Sequence, residues 1–237
     1  MGAHTSQVFA PLDRDHVLER IAGGNETEVY RTDDFRYVVK LKREIGGDLA
    51  AVLTEAQQIR ADAEEFAACL GDAHTVPNFY VISRDDDGRA QVLVLQPFLH
   101  AAHPLANVDY RRLSAVERQA LATTLRTIIR RALAYYRVKG RMPDLYGRSS
   151  TSHAERKALN APHMLPWRIW SFLVKRSLLQ SHNLLLLHAP VQRVVLIDYD
   201  AVRRSHWYRR VYYAVRWLLF WRDWVLIWAM ERGGMQH

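Results

Sequence analysis

The segment from His182 to Asp200, HNLLLLHAPVQRVVLIDYD, constrains this chain more than any other. It reads as a short strand, a turn, a second strand and then two carboxylates. Asn183 stands at the mouth of the first strand and Asp198 at the end of the second. A hairpin of this kind sets an amide oxygen opposite a carboxylate on a rigid support. Oxygen ligands so arranged suit Mg²⁺ held against phosphates. The bland alternative is a plain hairpin with an N-terminal Asn turn and an exposed acid pair.

A second feature lies far upstream. Residues 21–42, IAGGNETEVYRTDDFRYVVKLK, read as a Gly-containing turn between strands, followed by a strand carrying Lys40. A lysine pointing inward from a buried strand is costly unless it meets an anion. Lys42 shares its strand parity, and a plain solvent-facing strand lysine is the bland reading of one of them. The apolar run before Lys40 favours Lys40 as the inward one.

The remaining pattern is coarse but ordered. Residues 27–31 and 36–42 alternate as paired strands, and residues 48–70 carry Leu49, Val52, Leu53, Ile59, Phe66 and Leu70 on one helical face before Gly71. Residues 77–83 and 90–98 form two more strands around Asp87-Gly88, with Asp85, Asp86 and Asp87 as a solvated turn. The spacing predicts a long helix over 113–138, with Ser114 as N-cap and Leu121, Leu125, Ile128, Ile129 and Leu133 on its stripe. A helix over 165–179, the 182–200 hairpin and terminal helices from about 206 to 231 complete the chain. This gives an α+β chain in two parts. Residues 1–98 form a small antiparallel-sheet lobe with one helix. Residues 99–237 form a mainly helical lobe with an inserted basic, Trp-containing segment at about 148–181.

Composition narrows the setting. At 237 residues with 49% apolar side chains, the chain can bury a substantial core. The single cysteine, Cys69, excludes a disulfide within the chain and reads as a small buried hydrophobe. The N-terminus lacks a basic start followed by an apolar run, so the expected location is cytoplasmic, or peripheral on the inner face of the membrane. The net charge is +8, with the basic excess beyond residue 110, and all seven tryptophans fall at 167, 170, 207, 217, 221, 224 and 228. Such a half implies an anionic partner, and Arg interleaved with Trp suits an anionic membrane surface. No zinc spacing and no nucleic-acid module appears, so neither a catalytic zinc nor a specific nucleic acid is expected. The C-terminal helix carries Trp217, Trp221, Trp224 and Trp228 on one stripe. It reads either as a core helix whose Asp223 steadies a functional loop or as an interfacial helix on a membrane. Its apolar character favours the core, which leaves the inserted segment with Trp167, Trp170, Phe172, Lys175 and Arg176 as the better membrane or partner candidate. Arg216, Arg222 and Asp223 make it a poor transmembrane span.

Taken in order, these motifs resemble the protein-kinase-like superfamily. AGGNETEVY resembles the phosphate-covering loop, with Gly24 and Val29 matching and Ala22 and Thr27 in place of the outer glycines. YVVKLK resembles the strand bearing the nucleotide-binding lysine. HNLLL followed by LIDYD resembles the metal-binding Asn and Asp segments, and is closer to atypical bacterial kinases such as the lipopolysaccharide-core sugar kinases. DYD stands where the family usually has Asp-Phe-Gly. The resemblance implies ATP and Mg²⁺, with Asn183 and Asp198 as metal ligands and Gly23, Gly24, Val29, Lys40, Glu64 and Gln96 around the nucleotide. Glu55, Glu64 and Glu65 are the alternatives for the acid that pairs with Lys40. A kinase places its catalytic Asp five residues before the metal Asn, but position 178 is Leu. MPDLYG follows the long helix where that loop should begin, so Asp144 is the expected base, with an insertion separating it from Asn183. The implied activity is γ-phosphoryl transfer to a hydroxyl of a membrane-associated glycolipid, a sugar or a protein Ser/Thr. Two alternatives stay open: a pseudokinase that binds nucleotide or a partner without turnover, and a peripheral membrane protein whose motifs coincide.

Overall fold

A computed structural model describes residues 19–23, 27–32, 34–84, 88–147, 176–188, 192–199 and 206–234 of the chain. Gly24, the acidic turn at 85–87 and most of the expected insertion lie outside the described residues. The architecture is α+β, a small antiparallel sheet with helices. It divides into two compact units, Met1–Val52 with Pro77–Phe98, and Leu53–Val76 with Leu99–His237.

The first unit is a five-stranded antiparallel sheet built from β1 (Glu19–Gly23), β2 (Thr27–Arg31), β3 (Tyr37–Gly47), β4 (Phe79–Arg84) and β5 (Ala90–Pro97). Its strand order is β1-β2-β3-β5-β4, so β3 lies at the centre. The turn into β3 is held by its own side chains. Thr32 Oγ1 donates to Asp34 Oδ1 and accepts the Tyr37 amide at 3.1 Å. Phe35 and Phe98 meet edge to face at 6.0 Å, and the Arg31 guanidinium lies 4.1 Å from the Phe35 ring centre.

Helix α1 (Leu49–Leu70) begins at Asp48, whose Oδ2 accepts the amides of Ala50 and Ala51. Val52, Ile59, Phe66 and Leu70 are buried as the sequence predicts, while Leu49 and Leu53 are exposed. The sequence groups this helix with the first lobe. Its later turns instead have their ring contacts and ion pairs in the second unit. There Phe66 meets Tyr135 edge to face at 5.8 Å, and Arg141 donates to Asp62 and Glu65, each at 2.5 Å.

The second unit is organised by α2 (Ala115–Lys139) and α3 (His206–Glu231). Ser114 caps α2 in a full capping box: its Oγ accepts the Glu117 amide at 3.2 Å, and Glu117 Oε2 accepts the Ser114 amide at 2.8 Å. Gly140 ends the helix in the left-handed conformation at φ 67°. Leu121, Leu125, Ile128 and Ile129 of the predicted stripe are buried, and Leu133 is half-buried. Arg126 pairs with Glu231 at 2.5 Å and so ties α2 to the end of α3. A second antiparallel sheet joins β6 (Ala102–Pro104), β7 (Leu184–Leu187) and β8 (Arg193–Leu196) in that order.

The terminal helix is buried along one face, as expected of a core helix, and exposed along the other. Trp217, Trp221 and Trp228 are exposed, and the buried face is Tyr213, Arg216, Leu219, Phe220, Asp223, Ile227 and Met230. The helix is apolar on both sides, so composition could not tell which side faces inward. Of the three charges that interrupt the apolar sequence, Arg216 and Asp223 lie on the inner side and Arg222 is half-buried. No helix among the described residues is long and apolar enough to cross a membrane.

Two stability outcomes follow. Replacing Ser114 with Ala removes a reciprocated cap and should cost about 1 kcal/mol, read as a lower urea midpoint at constant slope. Replacing Arg141 with Ala strips the charged partner from Asp62, whose side chain is 8% exposed, and leaves it the Gln58 amide at 3.2 Å. The expected loss near neutral pH is about 2 kcal/mol, below that of a fully buried pair because Arg141 and Glu65 reach water. The Tyr135 hydroxyl, then the Arg141 guanidinium, holds the Glu65 carboxyl below its ordinary 4.5. That part of the stability is present above the unfolded value and is lost as pH falls through the folded one. The gap between wild type and Arg141→Ala should therefore narrow in acid, as urea titrations at the two pH values would show.

Candidate functional site

The sheet of the first unit collects three of the expected nucleotide residues on one face. Val29 on β2 lies directly opposite Lys40 on β3, which in turn lies opposite Val94 on β5. Gln96, two residues further along β5, is opposite Val38. Directly paired residues of antiparallel strands share a face, so Val29, Lys40 and Gln96 point the same way. Lys42 does too, and here the sequence reading needs correction. Lys40 and Lys42 are 9% and 7% exposed, so neither faces solvent. Two largely buried lysines and a buried glutamine on one sheet face form a polar strip where β-sheets normally place apolar groups. Gln96 Nε2 donates to Asn78 Oδ1 within the same unit. Gly23 ends β1 opposite Glu28.

The acids of α1 are unequal. Glu64, expected to pair with a buried lysine, has a side chain 63% exposed and is held by Arg60 on the preceding turn at 2.7 Å. Glu65 accepts from Tyr135 and Arg141. Glu55 is half-buried.

In the second unit the chain brings together two residues 39 positions apart. Asn183 Nδ2 donates to the backbone carbonyl of Asp144 at 2.9 Å. One residue earlier, the His182 amide donates to the Gly147 carbonyl at 2.9 Å. A carbonyl can only accept, so Nδ2 is the atom facing Asp144 and Oδ1 is the free acceptor of the amide. Gly147 is what allows this approach. A β-carbon at that position would lie 1.6 Å from Asn183 Oδ1 and 2.0 Å from its Cγ. Ser181, fully buried, completes the turn, since its Oγ accepts the amides of Asn183 at 3.0 Å and Leu184 at 3.3 Å.

Asp198 enters from the other strand of the same hairpin. β7 and β8 pair with Leu184 opposite Leu196, and the Ile197 amide donates to the Asn183 carbonyl at 2.9 Å. Asn183 and Asp198 therefore both stand at the open end of the hairpin, and Asp198 is half-exposed there. Tyr199 fixes the chain just after it. Its hydroxyl accepts the Val76 amide at 2.7 Å and donates to the Leu196 carbonyl at 2.9 Å. Burial pushes that hydroxyl up to about 12, so it stays protonated and keeps its donor role at neutral pH.

The carboxylate of Asp144 is oriented by α3. Arg216 Nη2 donates to Asp144 Oδ1 at 2.9 Å, and the Tyr146 amide reaches the same oxygen at 3.0 Å. Both bonds fall on Oδ1, which fixes the carboxylate's rotation. The Arg216 side chain is 2% exposed, and its guanidinium lies 4.1 Å from the Tyr146 ring centre and 4.8 Å from that of Tyr212. Burial alone would lower its pKa, but Asp144 and then Tyr212 outweigh that and raise it, so the cation persists.

Two turns along the same helix, Asp223 holds the rest of the loop. Its Oδ2 accepts the Tyr146 hydroxyl and the Leu178 amide, the latter at 3.3 Å. Arg222 contacts its Oδ1 at 3.1 Å. Burial raises the Asp223 pKa, and the Tyr146 and Arg222 contacts oppose that. Position 178, where the kinase pattern would put its Asp, is thus a fully buried leucine whose backbone is held by Asp223.

Sequence reasoning missed Arg216, Gly147 and Ser181 as parts of this site. The signal for Arg216 was available, because a guanidinium in the middle of an apolar helix must find an anion or water. Gly147 and Ser181 carry no signal apart from the contacts they make. Among the described residues no three or more His, Cys, Asp or Glu side chains are grouped to hold a metal ion. No protein-family model matches this chain, and no curated protein matches it.

Replacing Gly147 with Ala tests the approach directly. The new methyl must displace Asn183, at about 1–3 kcal/mol by analogy with overpacked cores. Urea unfolding should show that loss. Amide NMR shifts at Asn183 and Asp144 should move more than those in α2.

Proposed function

We propose that this chain is an ATP-dependent phosphotransferase of the protein-kinase-like superfamily, acting on a hydroxyl acceptor. The observation that carries the reading is the Asn183 side-chain bond to the Asp144 backbone. It joins the expected base and the expected metal ligand despite their separation in sequence. The small antiparallel sheet followed by a helical unit is compatible with the superfamily's two-lobed layout.

The residues fit a hydrated magnesium ion. The Asn183 Nδ2 bond leaves Oδ1 as a neutral oxygen donor, the bare Cα of Gly147 makes room for it, and Asp198 supplies one carboxylate. One amide and one carboxylate, with water and phosphate oxygens, is a set Mg²⁺ accepts. Bound there, Mg²⁺ would neutralise charge on the transferring phosphoryl group. The chain's own residues do the rest. Lys40 would pair with α/β phosphates, with Val29 and Gln96 on the same face contributing contacts. Asp144 would accept the acceptor hydroxyl's proton at Oδ2, because Arg216 and the Tyr146 amide occupy Oδ1.

A second reading, nucleotide binding without turnover, is favoured by the same contact. Buried Arg216 and the Tyr146 amide both hold Asp144 Oδ1, and a carboxylate tied in this way would suit a structural role.

The test is thermal stability with Mg-ATP, followed by turnover. Ligand at a hundred times its Kd adds about 2.7 kcal/mol, so wild type should gain several degrees. Asn183→Ala and Asp198→Ala should lose the magnesium-dependent part. Asp144→Asn should keep the shift but lower phosphoryl transfer by about 10²–10⁴-fold. Unchanged turnover in Asp144→Asn would remove the base assignment. A wild type indifferent to Mg-ATP would remove the reading. A shift with no transfer to any acceptor would select the second one.

A further inference from the structure

The outer face of α3 has no role in the site. Trp207, Val211, Ala214, Trp217, Leu218, Trp221, Val225 and Trp228 are all exposed, with Trp221 at 65% and Val225 at 64%. At about 100° per residue these positions fall within an arc of about 120°. From Val211 to Trp228 that arc holds no charged residue. At about 1.5 Å per residue it is roughly 25 Å long. The acid in this stretch, Asp223, is buried on the opposite side.

Cations mark its ends. Arg209 and Arg210 are exposed at the start of the helix, and Arg232 at its end lies over the Trp228 ring at 4.0 Å. Beside the stripe, an open groove of about 680 Å³ is lined by Tyr136, Arg137 and Gly140 from the end of α2 and by Arg210, Val211 and Trp217 from α3. Aromatic rings at the mouth of a groove with two exposed guanidiniums fit a phosphate carried on an apolar body.

We propose that this face docks the chain onto an anionic phospholipid surface. The tryptophans and aliphatics would enter the headgroup–acyl boundary, and Arg137 and Arg210 would meet lipid phosphates in the groove. The charge pattern selects this occupant. Tryptophan prefers the membrane interface, and each basic residue near an anionic leaflet adds attraction. A second copy of the chain stacked on this face would bring arginine ends of like sign together, in a chain whose net charge is already +8. The inference stands apart from the phosphotransferase reading, because none of these side chains touches Asp144, Asn183 or Asp198 among the contacts described above. It takes up the interfacial reading of the terminal helix, and the 148–181 segment, which the sequence favours as a membrane contact, lies mostly outside the described residues.

The experiment is co-sedimentation of the full chain with phosphatidylcholine vesicles, with and without phosphatidylglycerol, at low salt. Wild type should bind the anionic vesicles, release them at high salt and ignore pure phosphatidylcholine. Trp221→Glu combined with Val225→Glu should weaken binding by about tenfold or more. Arg137→Ser combined with Arg210→Ser, on different side chains of the same face, should weaken it several-fold, so that misfolding of one pair leaves the other as a check. Circular dichroism and melting of each variant establish that the fold is kept. Folded variants that bind as wild type does would overturn the proposal. So would a wild type that ignores anionic vesicles yet sediments as a dimer that Trp221→Glu dissociates.

Discussion

Asn183 can reach the Asp144 backbone only because residue 147 has no side chain. Everything proposed for the site hangs on that close approach. The amide group is short and carries both a donor and an acceptor. With its donor used on the Asp144 carbonyl, its acceptor is set by geometry, without rotamer freedom to lose. The His182-to-Gly147 backbone bond and the Ser181 hydroxyl then fix the strand from which Asn183 projects. The result is a preorganised pair, a carboxylate and an amide oxygen on two segments that share one backbone contact.

That contact is held from behind by two charges on a single helix. Arg216 and Asp223 are seven residues apart, so they lie on the same face of α3, two turns from each other. Arg216 reaches the Asp144 carboxylate, and Asp223 reaches Tyr146 and the Leu178 backbone. Buried ions of this kind add little net stability, and their loss leaves an uncompensated partner. Their contribution here is positional. They specify where the 144–147 loop sits, and an apolar pair of equal volume would not. The same arrangement explains the terminal helix's composition. One face must carry charge into the core, and the other carries tryptophan outward.

Much of the local structure was legible in the sequence. The α2 stripe, the Ser114 cap, the end of α1 at Gly71 and the hairpin carrying Asn183 and Asp198 follow from period, capping chemistry and strand alternation. The meeting of Asp144 and Asn183 was foreseen only from the order of the motifs, since no local rule spans that distance. Three features could not be read. Lys42 is buried beside Lys40, because strand parity gives a shared face but says nothing of what covers it. Glu64 turned out to be an exposed partner of Arg60, because the candidate acids of one helix look equivalent until the helix is rotated into place. The Trp stripe faces outward because a helix that is apolar all round has no inner side that composition can name.

The central claim is that the Asp144 loop, Asn183 and Asp198 surround one cation-bearing nucleotide. Paramagnetic Mn²⁺ with ATP tests it most directly on isotopically labelled protein. The account predicts that the Asn183 side-chain NH₂ and the backbone amides of Leu145 to Gly147 and of Asp198 broaden first, and that an excess of Mg²⁺ restores them. Broadening confined to other acidic surfaces, with these signals left sharp, would contradict it.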